Sequence, residues 1–281
     1  MRTRVIFNQK GGVGKSSITV NLAAISAHQK LKTLVIDLDP QANSSQYLLG
    51  DDATYSAAKT ALEPNIENFF SDVLGTNQNK GLIGSALGSI LKQRNKGGLT
   101  DYIHASPFPF LDVLPASPTL GSLEHTLESK HKIYKLRDAI QQLAGQYDRI
   151  FIDTPPAFNF FTLSALIAAD RVLIPFDCDV FSQRALQSLI GNVIETQDDH
   201  NSSLEVEGII VNQFQAQAKL PREVVQQLKD DQLPVLNSML PPSVVMKESH
   251  HKNLPLIHLA ADHKLTQAYQ SLFNEIEQNK I

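Results

Sequence analysis

The sequence predicts an α/β fold, a mostly parallel sheet covered by helices on both faces. Three observations carry this. Short apolar runs alternate with segments of helical apolar spacing almost to the C-terminus. Runs at 32–37 and 149–153 end in acids, Asp37 and Asp153, as buried parallel strands do when they open onto a crevice. The first run passes through a glycine-rich turn directly into a helical pattern. The chain has 281 residues, 42% of them hydrophobic, enough for one large domain or two small ones. The unbroken alternation favours a single domain spanning residues 1–281.

In order, residues 4–8 read as a buried strand and residues 18–25 as the start of a helix. Residues 32–37 are a second strand, and the polar stretch 41–45 reads as a turn. Residues 66–74 form a short helix. Residues 75–98, rich in glycine but with an apolar stripe through Leu82, Leu87 and Leu91, read as an insertion with a helix between loose connectors. A strand is expected at 110–114, a long helix at 123–143 and a strand at 149–153. There follow a helix at 163–169, a strand at 171–175, a helix at 185–196, a strand at 206–211, a helix at 222–228 and a strand at 235–239. The last helix carries Leu265, Tyr269, Leu272, Phe273 and Ile276 on one stripe, which reads as core packing.

The stretch Gln9-Lys10-Gly11-Gly12-Val13-Gly14-Lys15-Ser16 has the context that a phosphate-binding loop requires: strand before, helix after. Its glycines let backbone N–H groups converge on one point, and the helix adds its positive end. Gly11, Gly12, Val13, Gly14, Lys15, Ser16 and Ser17 are the expected cradle. Lys15 can reach the β- and γ-phosphates and Ser16 can ligate Mg²⁺. The strict pattern wants glycine where Gln9 stands, and Lys10 is an additional lysine.

This loop, with Asp37-Leu-Asp39-Pro40-Gln41 and Asp153-Thr-Pro-Pro156, resembles the ParA/MinD ATPases of the deviant Walker A P-loop type, closest to the ParA partition branch. The resemblance covers nearly the whole chain and weakens across residues 75–100. It implies ATP and Mg²⁺ as cofactors. Asp153 matches the Walker-B aspartate that holds the metal, and Asp37 approaches the metal's water shell. Asp39 matches the switch aspartate that orients the attacking water; the plain alternative is that Asp39-Pro40 starts a turn. Lys10 matches the lysine that crosses a dimer interface onto the partner's phosphates, so that two ATPs are sandwiched in a homodimer. Asn212 and Pro241 match the adenine contacts.

By the same resemblance, the ATP-bound dimer binds DNA without sequence preference, through basic residues such as Arg184, Lys219, Arg222, Lys229, Lys247, Lys252 and Lys264. The chain departs from the family at Gln217, where an arginine is common. A ParB-like or other adaptor protein is expected to stimulate slow hydrolysis, and the output is the positioning of a cargo: a plasmid, a chromosome region or a protein assembly. The net charge of −4 argues that any DNA surface is a local patch. One cysteine, Cys178, precludes an intrachain disulfide and fits a reducing, cytoplasmic setting, nucleoid-associated if DNA is bound. It also excludes the iron-protein relatives, which need two cysteines per subunit. No apolar run spans a membrane and no signal peptide is expected. The histidines at 250, 251, 258 and 263 lack the spacing of a metal site. Alternative readings are a MinD-like membrane switch, a metabolic ATP-dependent ligase of the same superfamily, and a non-hydrolysing interaction module.

Overall fold

The computed structural model describes residues 1–50, 62–75, 98–178 and 182–278, apart from the side chains of residues 182–184. Strand β1 (Arg2–Ile6) leads through the glycine loop into helix α1 (Lys15–His28). Strand β2 (Thr33–Asp37) and helices α2 (Asn43–Leu49) and α3 (Ile66–Leu74) follow. Next come β3 (His104–Ala105), β4 (Leu111–Leu114), α4 (Glu124–Ser129) and α5 (Lys135–Gln141). The chain continues with β5 (Arg149–Asp153), α6 (Phe160–Ala168), β6 (Arg171–Asp177), α7 (Ser182–Asp199) and β7 (Glu205–Asn212). It closes with α8 (Lys219–Asp230), α9 (Val244–His251), α10 (Leu256–Leu259) and α11 (Lys264–Gln278).

Among the described residues the strands form a seven-stranded sheet in the order β3-β4-β2-β5-β1-β6-β7. All pairs are parallel except β3 with β4. Successive strand residues serve opposite faces, as the pleat requires. Ile6, Val35, Phe151 and Leu173 meet α1 and α11 on one side. Val5, Leu34, Ile36, Ile150 and Ile152 meet α3, α5, α6 and α7 on the other. The stripe of α11 is buried, so this helix is core.

Three local expectations are corrected. The polar stretch at 41–45 enters helix α2 rather than remaining a turn. Ser44 and Ser45 are fully buried because their hydroxyls serve Asp153 and Asp37. The helix expected at 123–143 is two helices. The Lys132 N–H donates to the Leu127 carbonyl and His131 takes a positive φ of 52°, which ends α4. The strand expected at 235–239 reduces to a bridge between Val235 and Ile209. Beyond it, the Asn237 and Ser238 N–H groups donate to the Glu275 carboxylate, not to β7. Residues 76–97 of the expected insertion lie outside the described residues.

Candidate nucleotide site

The loop between β1 and α1 sits at the carboxyl end of the sheet's central strands, where open parallel sheets place their ligands. Gly12 and Gly14 adopt φ of 76° and 91°, a region that side chains resist. Gly14 caps α1 without any side-chain hydrogen bond, and the first helical bond is Ile18 N–H to the Gly14 carbonyl. The N–H groups of the first turn are therefore left for a ligand. The loop and its neighbours enclose a cavity of about 650 Å³, a size typical of small-molecule sites.

Loop residues Gly11, Gly12, Gly14, Lys15, Ser16 and Ser17 line this cavity, with Asp39 across from them. Val13 is buried beneath the loop, and its carbonyl accepts from Asn212 Nδ2 at 2.9 Å. Lys15 is 7% exposed, and its Nζ donates to the Lys10 carbonyl at 3.2 Å. Burial lowers the Lys15 pKa, opposed by the charges of Asp153 and Asp39. Burial likewise raises Asp39, offset in part by the Gln41 N–H and Lys15. The Asp39 Oδ1 accepts from Gln41 N at 3.0 Å. That contact is the turn anticipated as the plain alternative, and it coexists with a carboxyl facing the cavity.

Asp37 and Asp153 are register partners at the ends of β2 and β5, both fully buried. Two carboxyls this close in a dry site cannot both ionise easily. Burial and the Asp153 charge push Asp37 well above the carboxylate range. Burial, opposed by the hydroxyls of Ser16 and Ser44, pushes Asp153 up to about 6. Their surroundings differ. Asp37 is consumed by protein donors: Oδ1 takes Asp39 N–H, and Oδ2 takes both N–H and Oγ–H of Ser45. Asp153 Oδ2 accepts from Ser44 Oγ at 2.7 Å, but its buried Oδ1 has no protein hydrogen-bond partner. The Ser16 hydroxyl lies close enough to act on this carboxyl. An orphaned, buried carboxylate oxygen beside the Ser16 hydroxyl fits a hydrated divalent cation. These bonds make Asp37 the brace of the turn that carries Asp39.

Lys10 does not line the cavity. Its Nζ lies 3.5 Å from Asp177 Oδ2 at the end of β6, with 38% of the side chain exposed. Asn212 and Pro241 are also outside the lining; Asn212 instead props the loop from behind. A Cβ on Gly14 would stand 2.4 Å from Asn212 Nδ2. Gly14→Ala therefore combines left-handed strain of about 1–2 kcal/mol with a direct overlap. It is expected to lower ATP affinity at least tenfold by calorimetric titration.

The expected basic residues lie on several elements. Lys219, Arg222 and Lys229 are exposed on α8, Lys247 is exposed on α9, and Lys252 and Lys264 are exposed beyond them. Lys219 pairs with Glu223 and Lys252 with Glu248. The Arg184 side chain lies outside the described residues. Sequence reasoning missed another part of the cavity lining, formed by Gln41, Asn43, Gln46 and Tyr47 with His250, His251 and Asn253. The paired histidines were visible in the chain, but nothing local tied them to the loop. Among the described residues no cluster of His, Cys, Asp and Glu fits a metal by itself.

Comparison with known proteins decides the family. An AAA domain family model matches residues 1–206. The chain is 30% identical over 273 residues to the chromosome partitioning protein ParA of Myxococcus xanthus, covering 96% of this chain and 86% of that protein. The chain belongs to the ParA/MinD family of P-loop ATPases. It is an ATP-hydrolysing enzyme. Among solved structures it resembles the cell division ATPase MinD of Pyrococcus furiosus, with TM-score 0.72, 21% identity, and 99% and 98% of the two chains covered. It also resembles cobyrinic acid a,c-diamide synthase from Mycobacterium smegmatis, solved with an ATP analogue and magnesium. There the TM-score is 0.76, with 22% identity over 98% and 93% of the chains. These likenesses show a shared fold. No helix among the described residues is long and apolar enough to cross a membrane.

Proposed function

We propose that this ParA-type ATPase is a positioning switch. It forms an Mg-ATP sandwich homodimer, binds DNA without sequence preference, and resets by slow hydrolysis that a ParB-like or other adaptor protein stimulates. Its cargo is a plasmid, a chromosome region or a protein assembly, moved within the cytoplasm. The observation that carries this reading is Lys10. Lys15 already serves the cavity from inside, whereas Lys10 is not part of its lining and stands part-exposed beside Asp177. A second loop lysine placed there suits the phosphates of a facing subunit better than its own.

Within one subunit, the first-turn N–H groups of α1 and the Lys15 ammonium hold the phosphate chain of ATP. Ser16 and Asp153 would hold Mg²⁺, which when bound neutralises charge on the β- and γ-phosphate oxygens. Asp39, fixed through Gln41, orients the attacking water; positioning is sufficient in phosphoryl transfer. Asn212 keeps the loop in its cradle shape through Val13 and, together with Pro241, contacts adenine.

Light scattering with ATP plus Mg²⁺, then with ADP, tests the switch. The wild type is expected to dimerise only with ATP, and Lys10→Ala to remain monomeric while still binding ATP. Normal dimerisation of Lys10→Ala would overturn the role of Lys10. Fluorescence anisotropy on random-sequence duplex tests the track: binding with ATP but not ADP, falling steeply with salt, is expected.

A further inference from the structure

Helix α9 contributes a wall to the nucleotide cavity that the loop and strand motifs leave unexplained. His250 is its best-mounted side chain. Its Nε2 lies 2.9 Å from Ser17 Oγ. Its ring stands edge-on to Tyr47, with centroids 5.0 Å apart and planes at 89°. The Tyr47 hydroxyl in turn bonds Ser249 Oγ, the residue next to His250. A second tie lies alongside: Asn21 Nδ2 donates to the Ser17 carbonyl, and Asn21 Oδ1 accepts from Leu256 N at 2.9 Å. The imidazole is thus held against the first turn of α1 from both α2 and the α9–α10 segment, yet stays open to the cavity.

The register of the loop decides what this imidazole meets. Backbone N–H groups of the glycine stretch cradle the α- and β-phosphates, Lys15 reaches the β- and γ-groups, and Ser16 serves the metal. Ser17 comes next along the helix, where it can join the loop N–H groups at the phosphate that carries the nucleoside. We infer that His250 is a nucleotide-contacting residue whose Nε2, together with Ser17, hydrogen-bonds the α-phosphate of the bound nucleoside di- or triphosphate. This deepens the ATPase reading and rests on it. It also accounts for why α9 is tied so closely to α1, and why a histidine rather than an aliphatic residue occupies this side of the cavity.

The test is calorimetric titration of the full chain with ATP, ADP and inorganic pyrophosphate, each with Mg²⁺, on wild type, His250→Ala, His250→Phe and His250→Gln. His250→Phe keeps the ring against Tyr47 but has no nitrogen. His250→Ala and His250→Phe are expected to weaken ATP and ADP alike by about tenfold, the worth of one hydrogen bond to a charged group. Pyrophosphate, which lacks the nucleoside-bearing phosphate, should bind unchanged. His250→Gln, which retains an N–H, should recover most of the loss. ATP and ADP affinities of His250→Phe within twofold of wild type would overturn the inference. So would an equal loss for pyrophosphate, which would mean that α9 only shapes the loop. A wild type that binds no ATP would instead sink the ATPase reading itself, and the two failures are distinguishable.

Discussion

Lys15→Ala is expected to lower ATP affinity by about 10²–10³-fold and to abolish measurable hydrolysis. The size follows from the proposed role: charge-assisted contacts from Lys15 to two phosphates would each be worth about 1.5–3 kcal/mol, where 1.4 kcal/mol is tenfold. The cavity magnifies the effect because the lysine is almost wholly removed from water and sits between two acids, Asp153 and Asp39. Folding should survive. The ammonium makes a long bond to the Lys10 carbonyl, and removing a buried charge relieves its desolvation. Titration with a fluorescent ATP analogue, beside a thermal melt without nucleotide, separates binding from folding. A variant binding ATP within a few-fold of wild type would show that the glycine loop is not the phosphate cradle.

Arg4→Ala is expected to destabilise the fold by about 3–5 kcal/mol, the range for breaking one partner out of a buried ion pair. The Arg4 guanidinium is fully buried within β1. It grips Glu207 of β7 with both prongs, at 2.6 and 2.9 Å, and bonds Glu277 Oε1 at 2.7 Å and the Ile276 carbonyl at 3.0 Å. Arg149 of β5 holds Glu277 as well. The cluster therefore staples three strands to the C-terminal end of α11. Removing Arg4 strands Glu207, whose side chain is 4% exposed, as an uncompensated charge. Lysine cannot substitute, having no planar fork. Urea unfolding measures the loss. Arg4→Met combined with Glu207→Gln should recover a large part of it, because a neutral pair carries no stranded charge.

The same cluster predicts a pH dependence. Burial pushes the Glu277 carboxyl up, but the hydrogen bond from Arg149 and the charge of Arg4 outweigh it and hold the pKa at about 2. A carboxyl depressed in the folded state stabilises fully above its unfolded pKa of about 4.3, and that stability is lost as pH falls toward 2. The gap between wild type and Arg4→Ala should therefore be widest at neutral pH and narrow through that acid window. A gap that is flat with pH would show that the charges are not what hold α11.

Much of the architecture and the heart of the site were legible in the chain. The strands at 149–153 and 32–37, the helix at 66–74 and the loop at 9–16 announce themselves through contiguous residues. Apolar runs, terminal acids and glycine spacing are local signals with local causes. The family resemblance rests on those same stretches. Composition alone also bounded the redox chemistry through Cys178.

Tertiary structure decided what depends on partners distant in sequence. The stretch at 41–45 looks like a turn until Ser44 and Ser45 find the acids at the ends of β5 and β2, which turn polarity into burial. Asp37 and Asp153 look equivalent until their surroundings separate them: one oxygen set is consumed by Asp39 N–H and Ser45, while the other keeps an open position. Asn212 resembles a base-reading amide, yet in the fold it braces Val13, and His250 reaches Ser17 across 233 positions of sequence. A chain reports which groups it carries and at what local spacing. Which buried donor meets which buried acceptor is settled only when the sheet brings strand ends together, and there the roles of chemically identical side chains diverge.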